Sequence, residues 1–138
     1  MWTIEFYETE NRIIPVEKFL DSLDIKMRAK ALKELQILKE FGISLREPYS
    51  KSIKDGIFEL RIKVATDITR IFYFFYKDNK IILTNGFIKK TQKTPSSEIE
   101  TAVKYKKDYI RRYGKWIILI IILKNRCKMK NFEKNMII

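Results

Sequence analysis

Histidine is missing from all 138 residues, and that absence removes much of ordinary active-site chemistry. Neither a Ser-His-Asp arrangement nor a histidine metal site can be built. Cysteine is nearly missing too. Cys127 stands alone, which excludes an intrachain disulfide and a multi-cysteine metal site and points to a reducing cytoplasm. The four glycines, Gly42, Gly56, Gly86 and Gly114, are all isolated, so neither the GxxxxGK[ST] loop nor the GxGxxG fingerprint of nucleotide binding occurs. The acids follow no metal-binding motif or spacing, and no cofactor is implied. Long apolar runs are also scarce. The longest, Trp116 to Leu123, falls short of the roughly 18 to 20 residues that span a bilayer. The opening "MWTIEFYETE" carries acids where a signal peptide carries bases. A soluble cytoplasmic protein with no membrane partner is expected.

What is abundant is positive charge: 29 Lys+Arg against 17 Asp+Glu, a net +12. Such a field attracts polyanions, so nucleic acid, an anionic membrane surface or an acidic protein are the candidate partners. With 46% hydrophobic and 33% charged residues, the chain has the composition of a folded protein, and its length suits a single core.

The apolar pattern predicts an α+β protein. Trp2, Ile4 and Phe6 alternate with Thr3 and Glu5, as in a half-buried strand. Pro15 opens a short helix that buries Val16, Phe19, Leu20 and Leu23. From Ile25 to Phe41, Met27, Ala31, Leu32, Leu35 and Leu38 recur at helical spacing, and Gly42 closes that helix. "SLREPYSKSIKDG" has the composition of a connecting loop. "IFELRIKV" sets Phe58, Leu60, Ile62 and Val64 against Glu59, Arg61 and Lys63. "DITRIFYFFY" reads as a central strand, "KDNK" as a turn and "KIILTNGF" as the returning strand of a meander. Thr94 and Pro95 form an N-cap and first helical position for a last helix with a stop at Gly114. The greasy run that follows could be an extra strand or helix, a surface for self-association, or the product of an altered reading frame.

Three groups of cations then ask for an explanation. Arg61 belongs either to a solvated sheet face with cross-strand charge pairs or to a phosphate site. Arg70 interrupts an apolar strand, on the same side as Phe72 and Phe74. A buried guanidinium is costly unless paired, so it should meet a carboxylate such as Glu59 or open into an anion groove. In "GFIKKTQKTP" the close-set Lys89, Lys90 and Lys93 repel one another unless they sit in a solvated loop or an anion lies among them, and the start of the following helix favours an anion.

Taken together, the order of segments and the strings "ELR", "RIFYF" and "GFIKKTQKTP" resemble the HigB-like, phage-associated branch of the RelE/ParE toxin superfamily. The resemblance covers about Met1 to Gly114, which would leave 115–138 as a C-terminal extension. It implies two N-terminal helices packed on a small twisted, mainly antiparallel sheet, followed by a C-terminal helix. It also implies mRNA cleavage on the ribosome, a cognate antitoxin with a helix-turn-helix DNA-binding domain, and a homodimer or a heterotetramer with that antitoxin. Matching positions make Arg61, Arg70, Lys89 and Lys90 catalytic, with Lys63, Tyr73, Lys93 and Thr94 as substrate contacts. Two departures stand out: Glu59 occupies a position that is basic in some ribonuclease members, and their C-terminal aromatic or histidine acid has no match.

RNA can be cut by its own 2′-OH, without a metal, when that hydroxyl is deprotonated, the phosphate's charge is stabilised and the leaving oxygen is protonated. With no histidine, a lysine of lowered pKa, a tyrosine or water must be the base. Replacing Arg61 or Arg70 by alanine should abolish cutting and leave unfolding nearly unchanged. The rivals are a gyrase-inhibiting member of the superfamily and a nucleic-acid-binding module without activity.

Overall fold

A computed structural model describes residues 2–90 and 94–134, with side chains beyond Gly114 described only at Ile122 and Leu123. The chain divides into two compact units, Met1–Lys106 and Lys107–Ile138. The first holds five strands, β1 (Thr3–Phe6), β2 (Ser50–Lys54), β3 (Ile57–Val64), β4 (Asp67–Tyr76) and β5 (Lys80–Lys89), with two helices, α1 (Pro15–Ser22) and α2 (Ile25–Phe41). Helix α3 (Ser96–Lys134) begins in the first unit and continues into the second. No helix among the described residues is long and apolar enough to cross a membrane.

The fold is α+β, and its sheet has the order β1-β5-β4-β3-β2. All pairs are antiparallel except β1 with β5, which makes the sheet mixed. The first strand precedes both helices in the chain and takes the edge beside the last strand. Helix α1 packs on β5 and α2 on β3. Their buried Val16, Leu20, Leu23, Met27, Ala31, Leu35 and Leu38 meet Leu60, Ile62, Ile71, Tyr73, Ile81 and Leu83 in one core, which supplies most of the driving force for folding.

Local chemistry sets the element ends. Asp24 accepts from the backbone N–H of Met27 at 2.8 Å and caps α2. The Arg28 guanidinium donates to the carbonyls of Leu20, Asp21 and Leu23, which ties the first turn of α2 to the end of α1. Asp55 and Gly56 both have positive φ in the β2–β3 turn, as do Asp78 and Asn79 in the β4–β5 turn, the geometry that tight hairpins prefer. At Gly86 a Cβ would lie 2.4 Å from Phe19 Cδ2, so only glycine lets α1 approach β5 this closely.

Four expectations need correcting. The segment read as loop contains β2, an edge strand paired with β3; its polar residues hide it from a search for apolar alternation. Leu32 is exposed, and Glu34 is buried in its place. Helix α3 starts at Ser96, where Pro95 O accepts from Glu98 N and Ile99 N. It also runs through Gly114, where a Cβ would meet only Ile110 Cγ2 at 3.6 Å. Glycine weakens a helix by about 1 kcal/mol without ending it.

Candidate anion-binding site

The two sides of the β3–β4 pair differ, although Phe72 and Phe74 on the Arg70 side are fully buried too. One carries the helix-packed core. The other carries Glu59, Arg61 and Lys63 from β3, whose partners across the ladder are Phe72, Arg70 and Ile68. Arg61 and Arg70 are thus directly opposed, a pairing of like charges that destabilises a sheet unless something offsets it.

Glu59 offsets it. Its carboxylate is 1% exposed, with Oε1 3.2 Å from Arg70 Nε and 3.6 Å from Arg61 Nε. Oε2 accepts from the Thr94 hydroxyl at 2.8 Å. Arg61 also reaches Glu47, at 3.9 Å. Arg70 does two things at once: it pairs with a carboxylate and it faces a pocket. Burial lowers its pKa, Glu59 raises it and Arg61 lowers it. A guanidinium stays charged through shifts of this kind, so two cations share one buried carboxylate, and the exposed Glu47 reaches only Arg61.

Lys89 joins them because of one irregularity. Ile71 pairs with Gly86 and Tyr73 with Leu83, so β5 advances three positions while β4 advances two. The extra residue is a β-bulge at Thr84 and Asn85, opposite Phe72. It reverses the alternation that places Ile81 and Leu83 in the core and sets Lys89 on the Arg70 face. Side chains hold the bulge: Thr84 Oγ1 donates to Phe72 O at 3.3 Å, and Asn85 Nδ2 donates to Glu98 O at 3.3 Å. Burial lowers the Lys89 pKa; Arg70, Arg61 and Lys51 lower it further, and Glu59 opposes them. Lys51, the ladder partner of Glu59, is a member that sequence reading missed because its strand was missed.

A pocket of about 340 Å³ takes in the end of this face together with residues of α2 from the helix side. Arg61, Lys63, Ile68 and Arg70 line it from the sheet, Pro48 and Tyr49 from the chain ahead of β2, and Lys30 and Glu34 from α2. It forms there because β2 pairs with β3 only as far as Leu60, which leaves the end of β3 uncovered by a strand. Elsewhere on the same face, the first turns of α3 lie over the sheet. Tyr105 stacks on Tyr7 at 4.6 Å, and the Lys106 ammonium sits 5.8 Å from the Phe74 ring centroid.

The site residues expected from sequence separate as follows. Arg61, Lys63, Arg70 and Lys89 share one face, and Thr94 reaches it through Glu59. Tyr73 is on the opposite face, 1% exposed and stacked on Phe58. Its hydroxyl bonds to Ser50, and burial raises its pKa. It belongs to the core, so naming it a substrate contact overlooked strand alternation. Thr94 bonds a carboxylate and does not head the helix. Lys90 is exposed beyond the end of β5, with no described contact to the cluster. Lys93 lies outside the described residues. Among the described residues, no group of three or more Cys, Asp or Glu could hold a metal ion.

Residues 18–107 match the family model described as phage derived protein Gp49-like. The chain belongs to this family. The matched segment of this Gp49-like protein contains every member of the charge cluster. Two relatives from Mycobacterium tuberculosis, strains CDC 1551 / Oshkosh and ATCC 25618 / H37Rv, each carry the name "Probable endoribonuclease HigB1". Both are 38% identical over 64 residues, or 46% of this chain and 50% of the relative. The chain therefore spans about half the length of the curated relatives it matches. Together with the family match, these relatives bear out the HigB-like resemblance read from "ELR", "RIFYF" and "GFIKKTQKTP".

Proposed function

We propose that this Gp49-like protein is the toxin of a toxin–antitoxin pair and cuts mRNA at the Arg61–Arg70–Lys89 face, in association with the ribosome. The observation that carries the proposal is the convergence of cations from β3, β4 and β5 around one buried carboxylate. Arg61, Arg70, Lys89 and Lys51 outnumber the carboxylates of Glu59 and Glu47, and a bound phosphate adds negative charge among them. Their planar donors suit a phosphate held through two oxygens.

Catalysis then follows from charge. The substrate's 2′-OH loses its proton to Lys89, whose lowered pKa increases the neutral amine fraction near neutral pH. The 2′-oxygen bonds to phosphorus, and the bond from phosphorus to the 5′-oxygen breaks. Arg61 and Arg70 stabilise the charge that builds on the non-bridging oxygens. Water protonates the departing oxygen, and the products are a 2′,3′-cyclic phosphate and a 5′-hydroxyl end. Lys63 and Lys51 extend the positive surface along the strand. DNA, which lacks the hydroxyl, is bound and not cut.

A cognate antitoxin, a helix-turn-helix DNA-binding protein by the logic of such pairs, covers this face. Expression of the chain alone should arrest growth, and co-expression of the antitoxin should restore it. The direct test adds purified protein to mRNA with and without translating ribosomes. Arg61→Ala, whose side chain is partly exposed, should cut at least a hundredfold more slowly with little loss of stability. Undiminished cutting by that variant removes the site from the mechanism. A DNA-damage response that precedes any fall in translation would point to gyrase instead.

A further inference from the structure

The pocket beside the arginines is larger than a phosphate needs. At about 340 Å³ it has room for a whole nucleotide, and the residues that α2 gives it differ from those of the sheet. Helix α2 contributes Glu34, 3% exposed, whose Oε1 pairs with Lys30 at 3.1 Å. Its Oε2 is buried, with no hydrogen-bond partner among the described residues. A buried carboxylate oxygen without a donor is costly, and natural proteins rarely leave one without reason. Tyr49, which lines the same pocket with Pro48, is 49% exposed.

We propose that this part of the pocket is a nucleobase subsite: Tyr49 stacks on the base next to the phosphate held by Arg61 and Arg70, and Glu34 selects bases that carry an exocyclic amino group. The inference rests on the RNA-cleaving function proposed above and adds substrate preference to it. With Oε1 engaged by Lys30, Oε2 is an acceptor that needs one donor. Adenine, cytosine and guanine each present an amino group. Uracil presents only a ring N–H flanked by two carbonyl oxygens, which a carboxylate repels. The aromatic ring accepts any base, because every base has a π-face. Stacking therefore provides affinity and Glu34 provides choice.

The two roles separate in an experiment that needs no cleavage. Four 2′-O-methyl trinucleotides, differing only at the middle base, are titrated into the full chain, and the same set is titrated into Glu34→Gln and Tyr49→Ala. The intact protein should bind the adenine, cytosine and guanine versions about tenfold more tightly than the uracil version, the scale of one hydrogen bond to a charged group. Glu34→Gln, whose amide can also donate to uracil's carbonyl oxygens, should bring the four affinities within about threefold of one another. Tyr49→Ala, a surface change that leaves folding intact, should weaken all four by about tenfold and keep their order. Equal binding of all four by the intact protein, or an unchanged order in Glu34→Gln, would overturn the subsite. Should Glu34→Gln fail to fold, a Tyr49→Ala protein that binds as tightly as the intact one would overturn it too. Arg61→Ala serves as the control for the function beneath: if it loses no affinity for any trinucleotide, the phosphate site itself fails, whatever Glu34 does.

Discussion

The same two strands bury apolar and aromatic groups against the helices on one face and hold a charge cluster beside buried Phe72 and Phe74 on the other, and the comparison shows where stability ends and function begins. On the helix side of β3 and β4, Leu60, Ile62, Ile71 and Tyr73 are at most 1% exposed, and the hydroxyl of Tyr73 is satisfied by Ser50. On the other side, Arg61 opposes Arg70 across the ladder, Glu59 is shared among three partners, and Lys89 is drawn in by a bulge. The first face is optimised for folding. The second keeps an excess of like charge, a cost that a protein retains where an anion must bind.

The largest effect should come from the pair that crosses this boundary. Glu59 is buried with Arg70, so Arg70→Ala leaves a buried carboxylate short of its main partner and should cost about 3–5 kcal/mol in urea unfolding. The sequence alone suggested that Arg70 could be removed without harm to folding, and its 3.2 Å pair with Glu59 argues otherwise. A loss below about 1 kcal/mol would mean that Glu59 does not depend on Arg70. Arg61→Ala should show the reverse signature. Cutting should fall at least a hundredfold, roughly 2.7 kcal/mol of transition-state stabilisation, with an unfolding midpoint close to that of the unaltered protein. On the helix side, Tyr73→Phe should lower stability by about 1 kcal/mol through the lost bond to Ser50 and leave cutting unchanged. A collapse of cutting in that variant would erase the distinction between the faces.

The smallest effect is a pH dependence. The Lys89 pKa is lowered in the folded protein, so between that value and the ordinary lysine value the unfolded chain binds more protons, and stability rises with pH across that window. The contribution is lost below the window, where both states are protonated. In the cleavage assay, the rate should climb with pH to a plateau reached below the ordinary lysine pKa, and Lys89→Arg should abolish that limb. A limb that survives in Lys89→Arg would assign the proton transfer to another group.

Much of the fold was legible because its signals are local. The alternation in "IFELRIKV" and the helical spacing from Ile25 to Phe41 match β3 and α2 at their ends. What was hidden depends on long-range pairing. Strand β2 carries little apolar pattern because it is an edge, although its Asp55–Gly56 hairpin signal was present. Arg61 and Arg70 could be recognised singly, but their opposition follows from a register that only the paired strands define. Lys89 was a candidate by composition, yet without the bulge opposite Phe72 it would face the helices. Glu34 and Tyr49 bore no motif at all; they matter only because α2 and the chain before β2 close a pocket over the uncovered end of β3.

The central claim is that Arg61 and Arg70 together hold a phosphate of RNA, and their side-chain Nε–H resonances report on it directly. Titration with a 2′-O-methyl RNA oligonucleotide should shift both resonances along the same saturation curve while the Arg28 signal, tied to the end of α1, stays in place. Saturable binding that moves neither Arg61 nor Arg70 would contradict the account.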